Sequence, residues 1–240
     1  MAYAVKEEAP AGIQKAGFMT RALTSAIFAL VWLAGVILGM RWYVLPLLCL
    51  AVAVVGVLEF IQLIKDRMPI ILSSVLGYLY LMVPLACFIY LRILGLFFAI
   101  TLMLSIWGAD TAAYLFGSIY GRHKLSPRIS PKKSWEGFIA GLIISVLVWV
   151  GAYLIVGYPS TGTSALGMVS AGVIFGVLAA CAGLAGDLLE SYLKRRAGVK
   201  DSGTILPGHG GILDRFDSLL IAAPVVLMIV PYIARALCYF

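Results

Sequence analysis

The feature that most limits this chain is a series of apolar runs long enough to cross a lipid bilayer. Seven of them occupy residues 22–40, 43–64, 69–90, 93–116, 137–158, 166–186 and 218–238. A helix needs about 20 mainly apolar residues to span the hydrocarbon. Strands of a membrane barrel would be short segments of alternating hydropathy instead, and the sequence has no such alternation. Of the 240 residues 62% are hydrophobic and 12% charged, where a soluble domain carries roughly 25% charged residues. A globule of this size could not hide so much apolar surface from water. The expected architecture is therefore all-α and multi-pass. The first run is long and followed by further spans, so it reads as a retained span and not as a cleaved signal.

The basic residues give the expected orientation. The chain has 18 Lys and Arg against 11 Asp and Glu, a net charge of +7. With the N-terminus inside, Lys6, Lys15, Arg21, Lys65 and Arg67 lie inside, as do five basic residues of segment 117–136 and five of segment 187–217. Only Arg41, Arg92 and Arg235 fall outside. Such a bias over short loops places the two polar segments on the cytoplasmic side. In this setting the positive charge points to membrane topology and to phosphate-bearing ligands, and not to nucleic acid. No repeat or linker divides the chain, so residues 1–240 read as a single membrane domain. Its parts are an apolar helical portion (1–104), a portion carrying the polar chemistry (105–220) and a last span (218–238). The four cysteines, Cys49, Cys87, Cys181 and Cys238, lie in apolar stretches without C-x-x-C spacing and read as small core residues.

Segment 187–217 is too polar to be a plain linker. Asp187, Glu190, Ser191 and Lys194 fall at i, i+3, i+4 and i+7, one polar stripe on a helix that continues the sixth run. Asp187 directly follows apolar residues, at a depth where ionisable groups are costly and are functional candidates. The plainest alternative is a solvated helix end with a Glu190–Lys194 ion pair worth a few tenths of a kcal/mol. Farther on, Pro207-Gly208-His209-Gly210-Gly211 is a glycine-rich turn leading into a helix, of the kind whose N–H groups cradle phosphates. Asp214 and Asp217 follow one helical turn apart, with Arg215 between them. Together with Asp187 they form an oxygen-donor set suited to Mg²⁺, which takes one or two carboxylates along with substrate phosphates. Lys194, Arg195, Lys200 and Asp201 add charge to the same segment. His209 reads as a structural or phosphate-contacting donor, with no second His at ligand spacing, and the alternatives are a metal ligand or a base.

Segment 117–136 supplies a second group. Ser130-Pro131 reads as a helix N-cap followed by proline at the first helical position. Lys132 and Lys133 then fall in the first turn, where the helix dipole disfavours cations unless an anion binds there. Upstream, Asp110 and Tyr114 share a helix face inside the fourth run, and a carboxylate at that depth calls for a basic partner or a metal. Glu59 in the second run reads as lying near a cytoplasmic helix end.

Carboxylates, basic residues and a glycine-rich turn at one membrane face suit phosphoryl or nucleotidyl transfer to a lipid, in which cationic groups neutralise charge developing on phosphate oxygens. An anion transporter is the competing class. Transporters, however, place charged residues near the bilayer midplane and show repeat symmetry.

Residues 191–217 carry a long and specific pattern, Ser191-x-Leu193-Lys194-Arg195-x₄-Lys200-Asp201-x-Gly203-x₂-Leu206-Pro207-x-His209-Gly210-Gly211-Ile212-x-Asp214-Arg215-Phe216-Asp217. This segment resembles the signature of phosphatidate cytidylyltransferases (CDP-diacylglycerol synthases) at every specified position. Asp110-Thr-Ala-Ala-Tyr114-Leu-Phe-Gly117, with Gly121, Lys124 and Ser130-Pro131-Lys132-Lys133-Ser134-Trp135-Glu136-Gly137, is similar to the second polar region of that family. The resemblance spans about residues 105–220 of this chain. It implies a multi-pass enzyme of up to nine spans that makes CDP-diacylglycerol and pyrophosphate from CTP and phosphatidate in phospholipid biosynthesis. It implies Mg²⁺ with K⁺ beside it, a homodimer in the cell membrane, and Asp187 and Asp214 as metal-binding carboxylates with Asp217 close by. The site expected from both readings joins catalytic Asp187, Asp214, Asp217, Lys194 and His209 to a substrate-binding set. That set is Asp110, Tyr114, Ser130, Lys132, Lys133, Arg195, Lys200, Asp201, Gly210, Gly211 and Arg215. The alternative enzymes are a polyprenol kinase-like protein and an archaeal-type lipid cytidylyltransferase.

Overall fold

The computed structural model describes residues 11–39, 43–65, 67–156, 164–203 and 210–238. Seven helices follow one another along these residues: α1 (Ala11–Leu38), α2 (Val44–Ile64), α3 (Ile70–Leu94), α4 (Leu96–Tyr120), α5 (Trp135–Val156), α6 (Ala165–Arg196) and α7 (Leu213–Cys238). Each overlaps most of one of the seven apolar runs. Among the described residues six, α2 to α7, contain stretches long and apolar enough to cross a membrane, and α1 contributes the shorter apolar helix Ala26–Leu38. Proline occurs inside α3 (Pro84) and α7 (Pro224, Pro231), as membrane helices tolerate when neighbouring helices and side chains satisfy the freed carbonyls.

Small residues set the closest helix contacts. On α5, Gly137 and Gly141 lie against the carbonyls of Ala113 and Ala109 on α4, and on α6, Gly172 and Gly176 lie against Val150 and Val146 of α5. Side chains there would force the backbones apart, which is why small-x₃-small spacing recurs where membrane helices meet. Around these contacts the core is aromatic. Trp149, Tyr153 and Phe175 are fully buried, with the Trp149 and Phe175 rings stacked at 4.7 Å between centroids. A second cluster joins Trp32 to Phe88 and Phe216. Cys49 is buried, whereas Cys181 faces outward, so the core reading holds for the first and not for the second.

Between α4 and α5 the chain forms a short antiparallel hairpin, β1 (Lys124–Ser126) and β2 (Ser130–Ser134), in which Lys124 faces Ser134 and Ser126 faces Ser130. This corrects the reading of Ser130 as a helix cap. α5 begins at Trp135, and Ser134 Oγ accepts the Gly137 N–H at 3.2 Å. The cap is therefore four residues later, and Lys132 and Lys133 lie on a strand instead of in a first helical turn. Pro131 is compatible with either, because it lacks an N–H that both an N1 position and a sheet edge can spare. Strand pairing to a segment upstream decided the matter.

Three polar connections meet at one end of the bundle. The Arg67 guanidinium, just after α2, donates to the Arg196 carbonyl at the end of α6. Arg195 Nε donates to the Ile129 carbonyl of the hairpin at 3.2 Å. The segments expected to share one membrane face do share it. Arg92, at the other end of α3, bonds the Val36 carbonyl of α1.

Candidate functional site

Charged side chains at this end form two groups that differ in how they are held. The first surrounds a cavity of about 250 Å³ between α4, α5, α6 and the hairpin. Its apolar wall is built from Ala109, Ala113, Gly137, Phe138, Gly141, Leu142, Ala180 and Leu184, and its polar part from Asp110, Tyr114, Lys132, Lys133, Ser134 and Asp187. The small residues that let α4 and α5 approach also leave this space open. At its mouth Lys133 Nζ is paired with Asp187 Oδ2, and the two side chains keep 24% and 29% of their surface exposed. Ser191 Oγ donates to Asp187 Oδ1 at 3.3 Å. An ion pair that water can reach is weak and exchangeable. Asp110, Tyr114, Lys132 and Lys133 are thus brought together with Asp187.

The second group lies between α2, α6 and α7 and is closed. Lys194 Nζ bonds Glu190 Oε2 at 2.9 Å and Asp214 Oδ1 at 2.5 Å. The Glu190 side chain is fully buried, so the reading of a solvated helix end does not hold. Asp214 Oδ2 accepts from the Ser202 N–H, the Ser202 hydroxyl and the Gly211 N–H, each at 2.9 Å. Glu59, 3% exposed, accepts from the Ile212 and Leu213 N–H groups, and its Oε2 shares the single Ser202 hydroxyl proton with Asp214. Gly210 has φ +81°, a left-handed conformation that glycine adopts without steric cost.

This arrangement revises the phosphate-cradle reading at Gly211. The N-terminus of α7 does bind an anion, as helix N-termini do, but the anions are the protein's own Glu59 and Asp214. Arg195 is a tether: besides Ile129 it holds the Val199 carbonyl. Lys200, Asp201 and Arg215 are exposed, and Ser130 starts β2. His209 lies outside the described residues.

The metal set Asp187, Asp214 and Asp217 is likewise divided. Asp187 and Asp214 each accept from protein donors on both oxygens, but the Asp214 side chain is 9% exposed and belongs to the closed group, whereas that of Asp187 is 29% exposed at the cavity mouth. Gly186 of α6 packs directly on the backbone carbonyl of Asp217, so α6 and α7 approach closely where Asp187 and Asp217 stand. The charges of Asp187, Asp110 and Lys133 all reach Asp217. Among the described residues no three His, Cys, Asp or Glu side chains converge as a ready metal centre. Mg²⁺ requires only one or two carboxylates beside waters and phosphates, so the Asp187–Asp217 pair fits it. Glu190 Oε1, buried with no hydrogen-bond partner, leaves a spare acceptor nearby.

Glu59 and Ser202 are the residues that reading the sequence missed. The signal for Glu59 was present: it is the one acidic residue of an apolar run, near its end, where a buried carboxylate must find donors. Nothing local identifies those donors, which lie about 150 positions later.

The fold and site define a multi-pass helical membrane protein with an oxygen- and cation-rich site at one end of the bundle, beside an apolar cavity. The chain belongs to the Cytidylyltransferase family, whose match covers residues 70–233, α3 through most of α7. The phosphatidate cytidylyltransferase of Staphylococcus aureus is 47% identical over 132 residues, 55% of this chain and 48% of that protein. That of Staphylococcus saprophyticus is 46% identical over 132 residues, again 55% and 48%. The Haemophilus influenzae protein of the same name is 40% identical over 130 residues, 54% of this chain and 44% of its own length. The chain spans about half the length of the curated relatives it matches. The family expected from residues 191–217 is the family found.

Proposed function

We propose that this chain transfers CMP from CTP to phosphatidate, giving CDP-diacylglycerol and pyrophosphate. The observation that carries the reading is the cavity itself, in which an apolar wall and a charged mouth occupy one space. Phosphatidate has that same division between acyl chains and phosphate, and moving its phosphate deeper into hydrocarbon would carry a large desolvation cost. Membership of the family and the names of the relatives supply the nucleotide.

In this reading Lys132 and Lys133 hold the lipid phosphate at the mouth, with Lys133 exchanging its Asp187 partner for the incoming anion. A phosphatidate oxygen attacks the α-phosphorus of CTP, a new P–O bond forms, and the bond to the pyrophosphate oxygen breaks. Asp187 and Asp217 would hold Mg²⁺, which would supply positive charge to the phosphate oxygens. The small-residue wall keeps acyl chains next to the headgroup site without closing it to lipid. The site faces the cytosol, where CTP and Mg²⁺ are found, in agreement with the distribution of basic residues.

Purified protein incubated with labelled CTP, Mg²⁺ and phosphatidate, and separately with a polyprenol, tests the reaction. CDP-lipid formed from phosphatidate supports it. A phosphorylated polyprenol, or no turnover, overturns it in favour of a kinase or a transporter. Sidedness is tested by Arg128→Cys, on the exposed hairpin turn, after removal of the four native cysteines. A membrane-impermeant thiol reagent should label it in inside-out vesicles, and labelling of sealed right-side-out cells would reverse the orientation.

A further inference from the structure

Glu59 stands on α2, outside the residues matched to the family, yet it contacts the segment that carries the family signature. Its Oε1 accepts the Ile212 N–H at 3.0 Å. Its Oε2 accepts the Leu213 N–H at 2.9 Å and the Ser202 hydroxyl at 3.1 Å. Ion pairs among the described residues do not include Glu59, so its charge is answered by the N-terminus of α7, where the first N–H groups lack helical partners. One carboxylate therefore holds residues on both sides of segment 204–209.

Two signature glycines fit the same contact. A Cβ at Gly203 would overlap Glu59, and its three nearest atoms all belong to that side chain. A Cβ at Gly211 would overlap the Ser202 hydroxyl and both Glu59 oxygens. The hydroxyl of Ser202 has one proton and stands within reach of Glu59 Oε2 and Asp214 Oδ2. A continuous chain of contacts thus runs from Glu59 through Ser202 to Asp214, Lys194 and Glu190, joining α2 to α7 and α6.

We propose that Glu59 is a positioning residue: it fixes both ends of segment 203–211 from α2, and so sets Asp217 of α7 beside Asp187 of α6. Its structural part stands on the contacts above; its effect on turnover rests on the function proposed for the site. Glutamine cannot replace it. Both oxygens accept from donors, so whichever way the amide is turned its NH₂ faces another N–H or O–H.

The test uses the full chain in detergent with Glu59→Gln, Glu59→Ala, Gly203→Ala and the Glu59→Ala/Gly203→Ala double variant. Hydrogen exchange followed by mass spectrometry is compared between peptides covering 200–216 and those covering α4 and α5. Exchange at 200–216 should rise about tenfold in Glu59→Gln, the loss of hydrogen bonds to one charged group, with α4 and α5 unchanged. Turnover number should fall by about tenfold or more, at 1.36 kcal/mol per decade, while KM for phosphatidate stays within about twofold because Lys132 and Lys133 are held elsewhere. The double variant should be no worse than Glu59→Ala, since the three atoms nearest the added methyl all belong to the deleted side chain. Unchanged exchange at 200–216, an equal rise in every helix, or additive effects of Glu59→Ala and Gly203→Ala would each overturn the proposal. If Glu59→Gln does not accumulate, Ser202→Ala, which removes one of the three bonds, is judged by the same exchange criterion. Absence of CDP-lipid formation by the unaltered chain counts against the proposed reaction alone, and the exchange result still decides the role of Glu59.

Discussion

Asp187 on α6 and Asp214 on α7 are both aspartates at polar helix ends, and each pairs with a lysine, but their surroundings differ. Asp187 meets Lys133 at a cavity mouth where both side chains remain partly exposed. Asp214 meets Lys194 with side-chain exposures of 9% and 12%, and three more donors from residues 202 and 211 complete its shell. A carboxylate saturated by protein donors holds structure, because removing any donor leaves a buried polar group unpaired. A carboxylate whose lysine partner remains open to water can exchange that partner for a ligand. Two aspartates that read from the sequence as one metal set therefore need not share one role.

The largest effect that tests this contrast is in the closed group. Lys194→Met should lower stability by about 3–5 kcal/mol, the cost of breaking a buried pair from one side, because Glu190 and Asp214 lose their common cation. Thermal unfolding in detergent measures it, and a melting temperature equal to that of the unaltered chain would show that the group is not structural. In the open group Asp187→Asn should reduce turnover by about 10²-fold, some 2.7 kcal/mol in the barrier, with little change in melting temperature. Asp214→Asn sharpens the comparison, since its loss of turnover should come with loss of stability. Were it to match Asp187→Asn in both readouts, the two aspartates would share one role after all.

Smaller effects are expected from the residues proposed to bind substrate. Lys132→Ala with Lys133→Ala should raise KM for phosphatidate by about tenfold, as two partly exposed charge-assisted contacts are lost, and leave the turnover number nearly unchanged. A fall in turnover number at constant KM would move these lysines from substrate binding to the reacting centre. Least of all, Ala180→Leu narrows the cavity wall and should raise KM a few-fold for long-chain phosphatidate but not for a short-chain form. Equal effects on both would indicate that acyl chains do not enter between α4 and α6.

Much of this molecule could be read along the chain. Seven apolar runs became seven helices, because bilayer thickness and backbone hydrogen bonding leave little choice for such runs. The polar stripe Asp187–Lys194 was legible because helical periodicity is local. The shared face of segments 117–136 and 187–217 followed from their charge. Family membership was legible in the spacing of residues 191–217. Other features depended on residues far apart in sequence. Lys124 pairing with Ser134 turned an expected helix start into a strand. Gly186 packing on the Asp217 carbonyl brought α6 and α7 close where Asp187 and Asp217 stand. Glu59 reached across to the Ile212 and Leu213 N–H groups, and Asp214 took the Gly211 N–H that had read as available to phosphate. Hydropathy and periodicity act over one or two helical turns and are fixed by the sequence itself, whereas the donors that a buried charge finds are set by which helices lie beside it, and only the packed bundle decides that.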